Sequence, residues 1–273
     1  MRPLNALTDW SLEPWASIPL LVSGILYFRG SRHLAAASML GRPLRRRLSA
    51  LFWCGWIILA LALVSPLHEL GEHLFSAHMI EHELLMVAAA PLLVAARPMP
   101  AMLLGLPDGW RRGLLNWTRG RGPRRAWSAA TELKTATVLH IAVLWLWHLP
   151  ALFAAALASE TVHIVQHLSF FVSALCFWEA CWSRHARRTG QAEAAMMLFL
   201  VSVQAGFLGA LLTFSARLWY PADYGATAGF GLSPLEDQQL AGLIMWIPAC
   251  SAYVAGGLIV AGRWLGAMER RHA

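Results

Sequence analysis

Seven stretches of the chain are apolar and long enough to cross a membrane as helices. They lie near residues 14–29, 49–66, 74–96, 133–150, 160–182, 193–215 and 239–262. About 20 helical residues cross a hydrocarbon core roughly 30 Å thick, so the shorter stretches need a few flanking residues. A backbone in lipid must satisfy its own hydrogen bonds, and these stretches lack the alternation of a strand. Each is therefore predicted to be a helix.

The composition favours the same class of protein. Only 14% of the 273 residues are charged and 58% are hydrophobic, whereas about a quarter of the residues in a typical soluble domain are charged. We therefore predict an all-α, polytopic membrane protein in which residues 1–273 form a single domain, a seven-transmembrane-helix bundle.

The basic residues predict how this bundle is oriented. Of the 22 lysines and arginines, 20 fall on one side of the predicted membrane, and only Arg2 and Arg217 fall on the other. By the positive-inside rule, the N-terminus is outside and the C-terminus is cytoplasmic. The expected location is the bacterial cytoplasmic (inner) membrane, which the chain crosses several times. The role of basic residues in orienting the chain during insertion, together with their attraction to anionic lipid, explains the basic face. No nucleic-acid partner is therefore expected.

Histidines are concentrated near the outer ends of three predicted spans. Span three carries His78 and His82, and span five carries His163 and His167. Residues four apart are separated by about 40° around a helix, so each pair presents both imidazoles on one face. His148 ends span four at a similar depth. Polar groups in a bilayer cost free energy, and imidazole suits Cu, Zn, Fe and Ni. These five histidines are therefore the predicted metal ligands.

Other polar and sulfur-containing side chains lie close to these pairs in the sequence. Glu81 and Gln166 share the helix faces of the two pairs, where they could act as ligands or fix the histidine tautomers. Met86 lies one turn below His82, and its thioether would favour Cu(I). His68 and His73 precede span three and are expected where a metal would arrive from outside.

Several other interpretations of the histidines stay open on sequence grounds. A haem could be held between spans three and five, or the two pairs could hold a di-metal centre, and either would indicate a redox protein. A proton relay and simple packing are further alternatives. The stretch from His78 to His82 also matches the H-x-x-E-H pattern of some zinc proteases, but no further glutamate ligand is evident.

Four ordered motifs resemble a known family. They read HMIEHELLMVAAAPLL at 78–93, WHLPALFAAAL at 147–157, VHIVQHLSFFVSALCFW at 162–178 and EDQQLAGLIMWIPA at 236–249. In this order the motifs resemble the multi-span CtaG family of cytochrome c oxidase assembly factors. Members of that family typically read HMxQH in the first motif. Glu81 in place of glutamine is therefore a departure that adds an ionisable group beside the expected pocket.

The resemblance implies a function and partners. It implies a non-enzymatic metallochaperone that binds copper on the outer side and delivers it to a cytochrome c oxidase subunit, with a periplasmic copper donor as a further partner. Copper is the expected ion, with zinc, iron or haem as alternatives. The motif at the mouth of span seven adds Asp237, Gln238 and Met245 as residues that complete or gate the pocket, although Asp237 could instead cap span seven. The alternative function is a membrane redox protein with haem or a His-ligated di-metal centre.

Overall fold

The computed structural model describes residues 10–37, 41–182, 190–220 and 227–272, and within these ranges all regular structure is helical. We number the helices α1 (Pro14–Ala37), α2 (Arg42–Val64), α3 (Pro66–Gly71), α4 (Phe75–Ala96), α5 (Met99–Gly105), α6 (Asp108–Thr118), α7 (Arg121–Ala130), α8 (Leu133–Trp147), α9 (Pro150–Ala158), α10 (Glu160–Trp182), α11 (Gln191–Thr213) and α12 (Pro234–Ile244, Met245–Ala249 and Cys250–His272).

Each of the seven predicted spans is helical in the structure, which confirms the all-α class. Five helices, α2, α4, α10, α11 and α12, are long and apolar enough to cross a membrane. A sixth span results if α7 and α8, which are bent by 67° to each other, count as one. The helix α1 falls outside this set.

The count of seven spans and the orientation of the termini stay predictions. Helix α8 has only 15 residues, and Pro150, which cannot continue a helical hydrogen-bond ladder, starts α9 soon afterwards. Arg2, Arg184, Arg187 and Arg188, on which the orientation partly rests, lie outside the described residues.

Two of the spanning helices contain a π-helical segment. In α4 the segment is Leu84–Ala89, and in α12 it is Met245–Ala249, which contains Pro248. A π-helical turn accommodates an extra residue within a helix and is frequent at functional sites. The segment in α4 begins directly after the polar stretch that carries the first histidine pair.

Glycines allow the closest helix crossings. A Cβ atom on Gly30 of α1 would overlap the backbone carbonyl of Ala101 in α5, and one on Gly209 of α11 would press against the backbone of Gly242 in α12. Such contacts let helix backbones approach closely in a membrane. The second crossing fixes the N-terminal part of α12 against α11.

The main hydrophobic core lies between α4, α8, α10, α11 and α12. It contains Met86, Phe170 and Met245, each at most 2% exposed. The indole Nε1 of Trp178 donates a hydrogen bond to the backbone carbonyl of Met86, with a distance of 2.9 Å. This bond joins α10 to the π-helical segment of α4 and so holds the two histidine-bearing helices side by side.

Candidate metal centre

The N-terminal end of α4 is held by a carboxylate from α12. Asp237 Oδ2 accepts a hydrogen bond from the backbone N–H of Phe75 at 2.7 Å. Its Oδ1 accepts from the backbone N–H of Ser76 at 3.1 Å and from the Ser76 hydroxyl at 2.5 Å. A carboxylate here satisfies N–H groups that have no partner within the helix and complements the helix dipole. Asp237 is therefore the cap of α4, although it comes from another helix.

The expectation that Asp237 could cap span seven is wrong. The N-terminus of α12 is capped by Ser233, whose hydroxyl accepts from the N–H of Glu236, while the Glu236 side chain accepts from the N–H of Ser233. This capping box uses the residue just before Asp237. It leaves the Asp237 carboxylate available to reach across to α4.

Glu81 lies between two imidazoles. Its Oε1 atom is 2.8 Å from Nδ1 of His68 and 3.0 Å from Nε2 of His167. One ligand atom from each of the three residues lies within 4.8 Å of the others, and all three residues are buried. Helices α3, α4 and α10 each contribute one of these side chains. The three residues form a compact donor set from separate parts of the chain.

The two predicted histidine pairs meet across the interface between α4 and α10. Within the pairs, the ring centroids are 4.2 Å apart for His78 and His82 and 4.4 Å apart for His163 and His167. Between the helices, the rings of His82 and His167 are 4.9 Å apart, and those of His78 and His163 stack at 5.4 Å. His68 joins this group, since its ring stacks on that of His163 at 5.6 Å. The structure thus brings five imidazoles and Glu81 together.

Several polar atoms of this group are buried without a hydrogen-bond partner among the described residues. They are Oε2 of Glu81, both ring nitrogens of His82 and Nε2 of His163. Oε1 of Gln166, the residue before His167, is likewise buried without a partner among the described residues. A buried polar atom without a partner costs about 1–3 kcal/mol, so native proteins contain few of them. Convergence of several such atoms on one place is what a metal-binding site requires. The donor set therefore fits a bound ion.

The charge of His68 differs from that of an ordinary histidine. Burial disfavours its charged form, but the hydrogen bond and the negative charge of Glu81 outweigh this and raise the pKa of His68 to about 9. The carboxylates of Glu13 and Glu72 add to this effect. An imidazolium at this position neutralises the buried Glu81 carboxylate when no ion is bound.

His148 lies at the edge of the group. Its Nδ1 is 2.6 Å from the backbone carbonyl of Leu144, and its own carbonyl accepts a hydrogen bond from the Tyr220 hydroxyl at 3.0 Å. Its ring is 6.3 Å from that of Phe170, which in turn is 4.5 Å from the ring of His82. His148 and His82 therefore border the same phenylalanine, and Nε2 of His148 is buried without a partner among the described residues.

The remaining sequence candidates occupy other surroundings. Met86 and Met245 are part of the hydrophobic core. The side-chain oxygen of Gln238 accepts from the N–H of Trp219 at 2.8 Å, and its amide group donates to the carbonyl of Arg217 at 3.1 Å. Gln238 thus holds Arg217 and Trp219, which follow α11. His73 is half-buried in the turn that follows α3.

Sequence reasoning assigned His68 to the arrival route, whereas the structure places it inside the donor set. Ser65 and Pro66 begin a short helix there, and the Ser65 hydroxyl accepts from the N–H of Leu67. That helix turns His68 inward. The serine–proline pair is a recognisable helix start, but no helical spacing connects His68 with the histidines of α4. The fold alone brings them together.

A cavity of about 460 Å³ borders the histidine group. Glu13, Glu72 and Glu160 line it, together with His78 and His163. Glu72 and Glu160 are exposed, so the cavity connects the surface with two of the imidazoles. A cleft lined by carboxylates raises the local concentration of cations.

These features define a class: a polytopic helical membrane protein with a buried histidine–glutamate cluster at one end of the bundle. The sequence profile described as cytochrome c oxidase caa3 assembly factor (Caa3_CtaG) matches residues 25–267 of the chain. The chain therefore belongs to this family of cytochrome c oxidase assembly factors, which confirms the resemblance predicted from its four motifs. A search of curated proteins and a search of solved structures gave no significant match.

Proposed function

We propose that this protein binds copper at the buried histidine–glutamate cluster and delivers it to a cytochrome c oxidase subunit in the bacterial inner membrane. The observation that carries the proposal is the position of Glu81 between His68 and His167. The rings of His82 and His163 lie against that of His167 and have imidazole nitrogens without a hydrogen-bond partner among the described residues. In this role the protein is a metallochaperone and not an enzyme, and copper is its cargo.

The donor set favours a transition metal. Imidazole is a preferred ligand of copper and zinc, whereas calcium and magnesium take oxygen ligands. One carboxylate among several imidazoles offsets part of the charge of the ion in a buried site. The thioethers of Met86 and Met245 lie in the hydrophobic core, so the proposed set consists of nitrogen and oxygen donors. Copper is preferred to zinc because the family serves an oxidase that contains copper.

The acidic cavity suggests how the ion arrives. A cation drawn to Glu72 and Glu160 at the surface would next meet His78 and His163, which line the same cavity. The ring of His163 contacts the rings of His167 and His68, so the ion would pass to these residues next. This route starts from the outer side in the predicted orientation, where a periplasmic copper donor would release its ion.

Metal analysis of the purified protein tests the proposal. We expect copper to co-purify with the wild-type chain and to be lost in the double variant His68→Ala/His167→Ala. His33→Ala is the matched control, because His33 is exposed near the C-terminal end of α1. Equal copper content in the double variant and the control would contradict the site. Full maturation of the oxidase in cells carrying the double variant would contradict the delivery role.

One observation favours a second candidate, a His-ligated di-metal redox centre. Glu81 has one oxygen between His68 and His167, and its other oxygen has no partner among the described residues. Such a carboxylate could bridge two ions. Two metal ions per chain together with a reversible redox change in the absorption spectrum would support this candidate, and a single ion would support the chaperone.

A further inference from the structure

Helices α6 and α7 form a basic and aromatic surface away from the metal centre. No residue of either helix is buried. Arg121, Arg124, Arg125 and Ser128 of α7 line a hollow of about 290 Å³. Their spacing places all four side chains on one face of the helix.

Both helices also carry exposed tryptophans. Trp127 follows Arg124 by three residues and so borders the arginine face of α7, and Trp110 and Trp117 share one face of α6. These three indoles are exposed by 58%, 77% and 65% respectively. Helices with a basic face and a tryptophan-rich face lie in the plane of a membrane interface, with the apolar side towards the acyl chains.

The bend between α7 and α8 agrees with this placement. Helix α8 is long and apolar enough to span a membrane only together with α7, yet the two are bent by 67° to each other. Glu132 fixes the corner, since its carboxylate accepts from the N–H of Thr135 at 2.7 Å and from the N–H of Lys134 at 3.2 Å. If α8 crosses the bilayer, α7 leaves it at a steep angle and runs close to the membrane surface.

Charge pairing differs between α6 and α7. Among the described residues no carboxylate pairs with Arg121, Arg124 or Arg125, whereas Arg111 on α6 pairs with Asp108 at 2.6 Å. Like charges three and four residues apart on a helix repel each other. An anion bound in the hollow would relieve this repulsion, and arginine is well suited to phosphate because it can donate two parallel hydrogen bonds.

We propose that Arg121, Arg124 and Arg125 bind the phosphate headgroup of an anionic phospholipid, while the tryptophans of α6 and α7 insert into the same leaflet. This anchoring surface is separate from the metal centre and does not depend on copper binding. A phospholipid satisfies both halves of the surface at once, since it offers a phosphate to the arginines and acyl chains to the indoles.

Lipid titration of the purified full-length protein tests this site. Each arginine near an anionic surface contributes about 1 kcal/mol, or roughly fivefold in affinity. We expect Arg121→Gln/Arg124→Gln/Arg125→Gln to weaken binding of short-chain phosphatidylglycerol on the order of a hundredfold. Because these side chains are exposed, helicity and copper content should stay at the wild-type level.

The matched control removes three arginines elsewhere. Arg42→Gln/Arg46→Gln/Arg47→Gln deletes the same charge from the exposed start of α2 and should change phosphatidylglycerol binding much less. Equal loss in both triple variants would overturn the proposal, because net charge alone would then explain binding. Equal binding of phosphatidylcholine, or competition by inorganic phosphate at similar concentrations, would also overturn it.

Tryptophan fluorescence tests the insertion directly. In vesicles of brominated phosphatidylglycerol, bromine on the acyl chains quenches an indole that reaches them. We expect the Trp127→Phe variant to show less quenching than the wild-type protein. Unchanged quenching would show that Trp127 does not lie in the leaflet and would overturn this part of the proposal.

Discussion

Replacing Asp237 should loosen the N-terminal end of α4. Asp237→Ala removes the acceptor for the N–H groups of Phe75 and Ser76 and for the Ser76 hydroxyl. The position is buried, with Asp237 only 1% exposed, so water cannot fully replace the carboxylate. Hydrogen bonds to a charged group contribute about 1.5–3 kcal/mol each, and they do not add fully when they share one acceptor group. We therefore expect a loss of about 3–5 kcal/mol in the free energy of unfolding.

The asparagine variant should fall between alanine and the wild type. Asp237→Asn keeps one oxygen for Ser76 but places an amide opposite the N–H of Phe75, so about half of the stabilisation should be lost. Thermal unfolding of the detergent-purified protein, followed by tryptophan fluorescence, measures both variants. For a chain of this size, 3 kcal/mol corresponds to a decrease in Tm on the order of 10 °C.

The same variants connect the cap with the metal centre. His78 follows Phe75 by three residues, and its N–H bonds to the carbonyl of Leu74 at 3.0 Å, so fraying of the first turn of α4 displaces an imidazole. Copper affinity should fall by roughly 10–100-fold in Asp237→Ala, as for other residues that orient ligands. Glu236→Gln is the control, because glutamine also serves in a capping box. The reasoning is refuted if Asp237→Ala and Glu236→Gln have the same Tm.

Four further substitutions test the ligand set and the packing. Glu81→Gln removes the carboxylate between the imidazoles, so copper affinity in a competition titration should fall at least tenfold; an unchanged affinity would mean that the carboxylate is not a ligand. Met86→Leu conserves volume in the hydrophobic core and should leave copper content unchanged, and loss of copper would place sulfur in the site. Gly30→Ala should lower the free energy of unfolding by about 1–3 kcal/mol because its Cβ overlaps a backbone carbonyl. A Cβ at Gly113 meets nothing within 4 Å, so Gly113→Ala should stabilise its helix by about 0.5–1 kcal/mol. Equal effects of the two variants in thermal unfolding would contradict the close crossing.

The positions of the helices and the two histidine faces could be predicted from the sequence. A long apolar stretch in a membrane must form a helix to satisfy its backbone hydrogen bonds. A spacing of four residues then determines which side chains share a helix face. For this reason the pair on α4 and the pair on α10 meet as their spacing and depth indicate. Glu81 was also recognisable, because a carboxylate within a span requires a partner.

Other features depend on contacts between distant parts of the chain. His68 enters the cluster because a short helix turns it inward. Asp237 caps α4 through Ser76 and Phe75, which lie 161 and 162 residues away from it in the sequence. Neither relation leaves a periodic signal. Met86 is a different case, because its spacing from His82 predicts a ligand, which stays a prediction, and the structure adds that this side chain is buried in the hydrophobic core.

X-ray absorption spectroscopy at the copper edge tests the central claim most directly. The copper-loaded wild-type protein should show a shell of nitrogen and oxygen ligands with the scattering pattern of several imidazoles, and no sulfur. The double variant His68→Ala/His167→Ala should lose this spectrum, while His33→Ala should keep it. A sulfur shell, or an identical spectrum in the double variant, would contradict copper binding at the histidine–glutamate cluster.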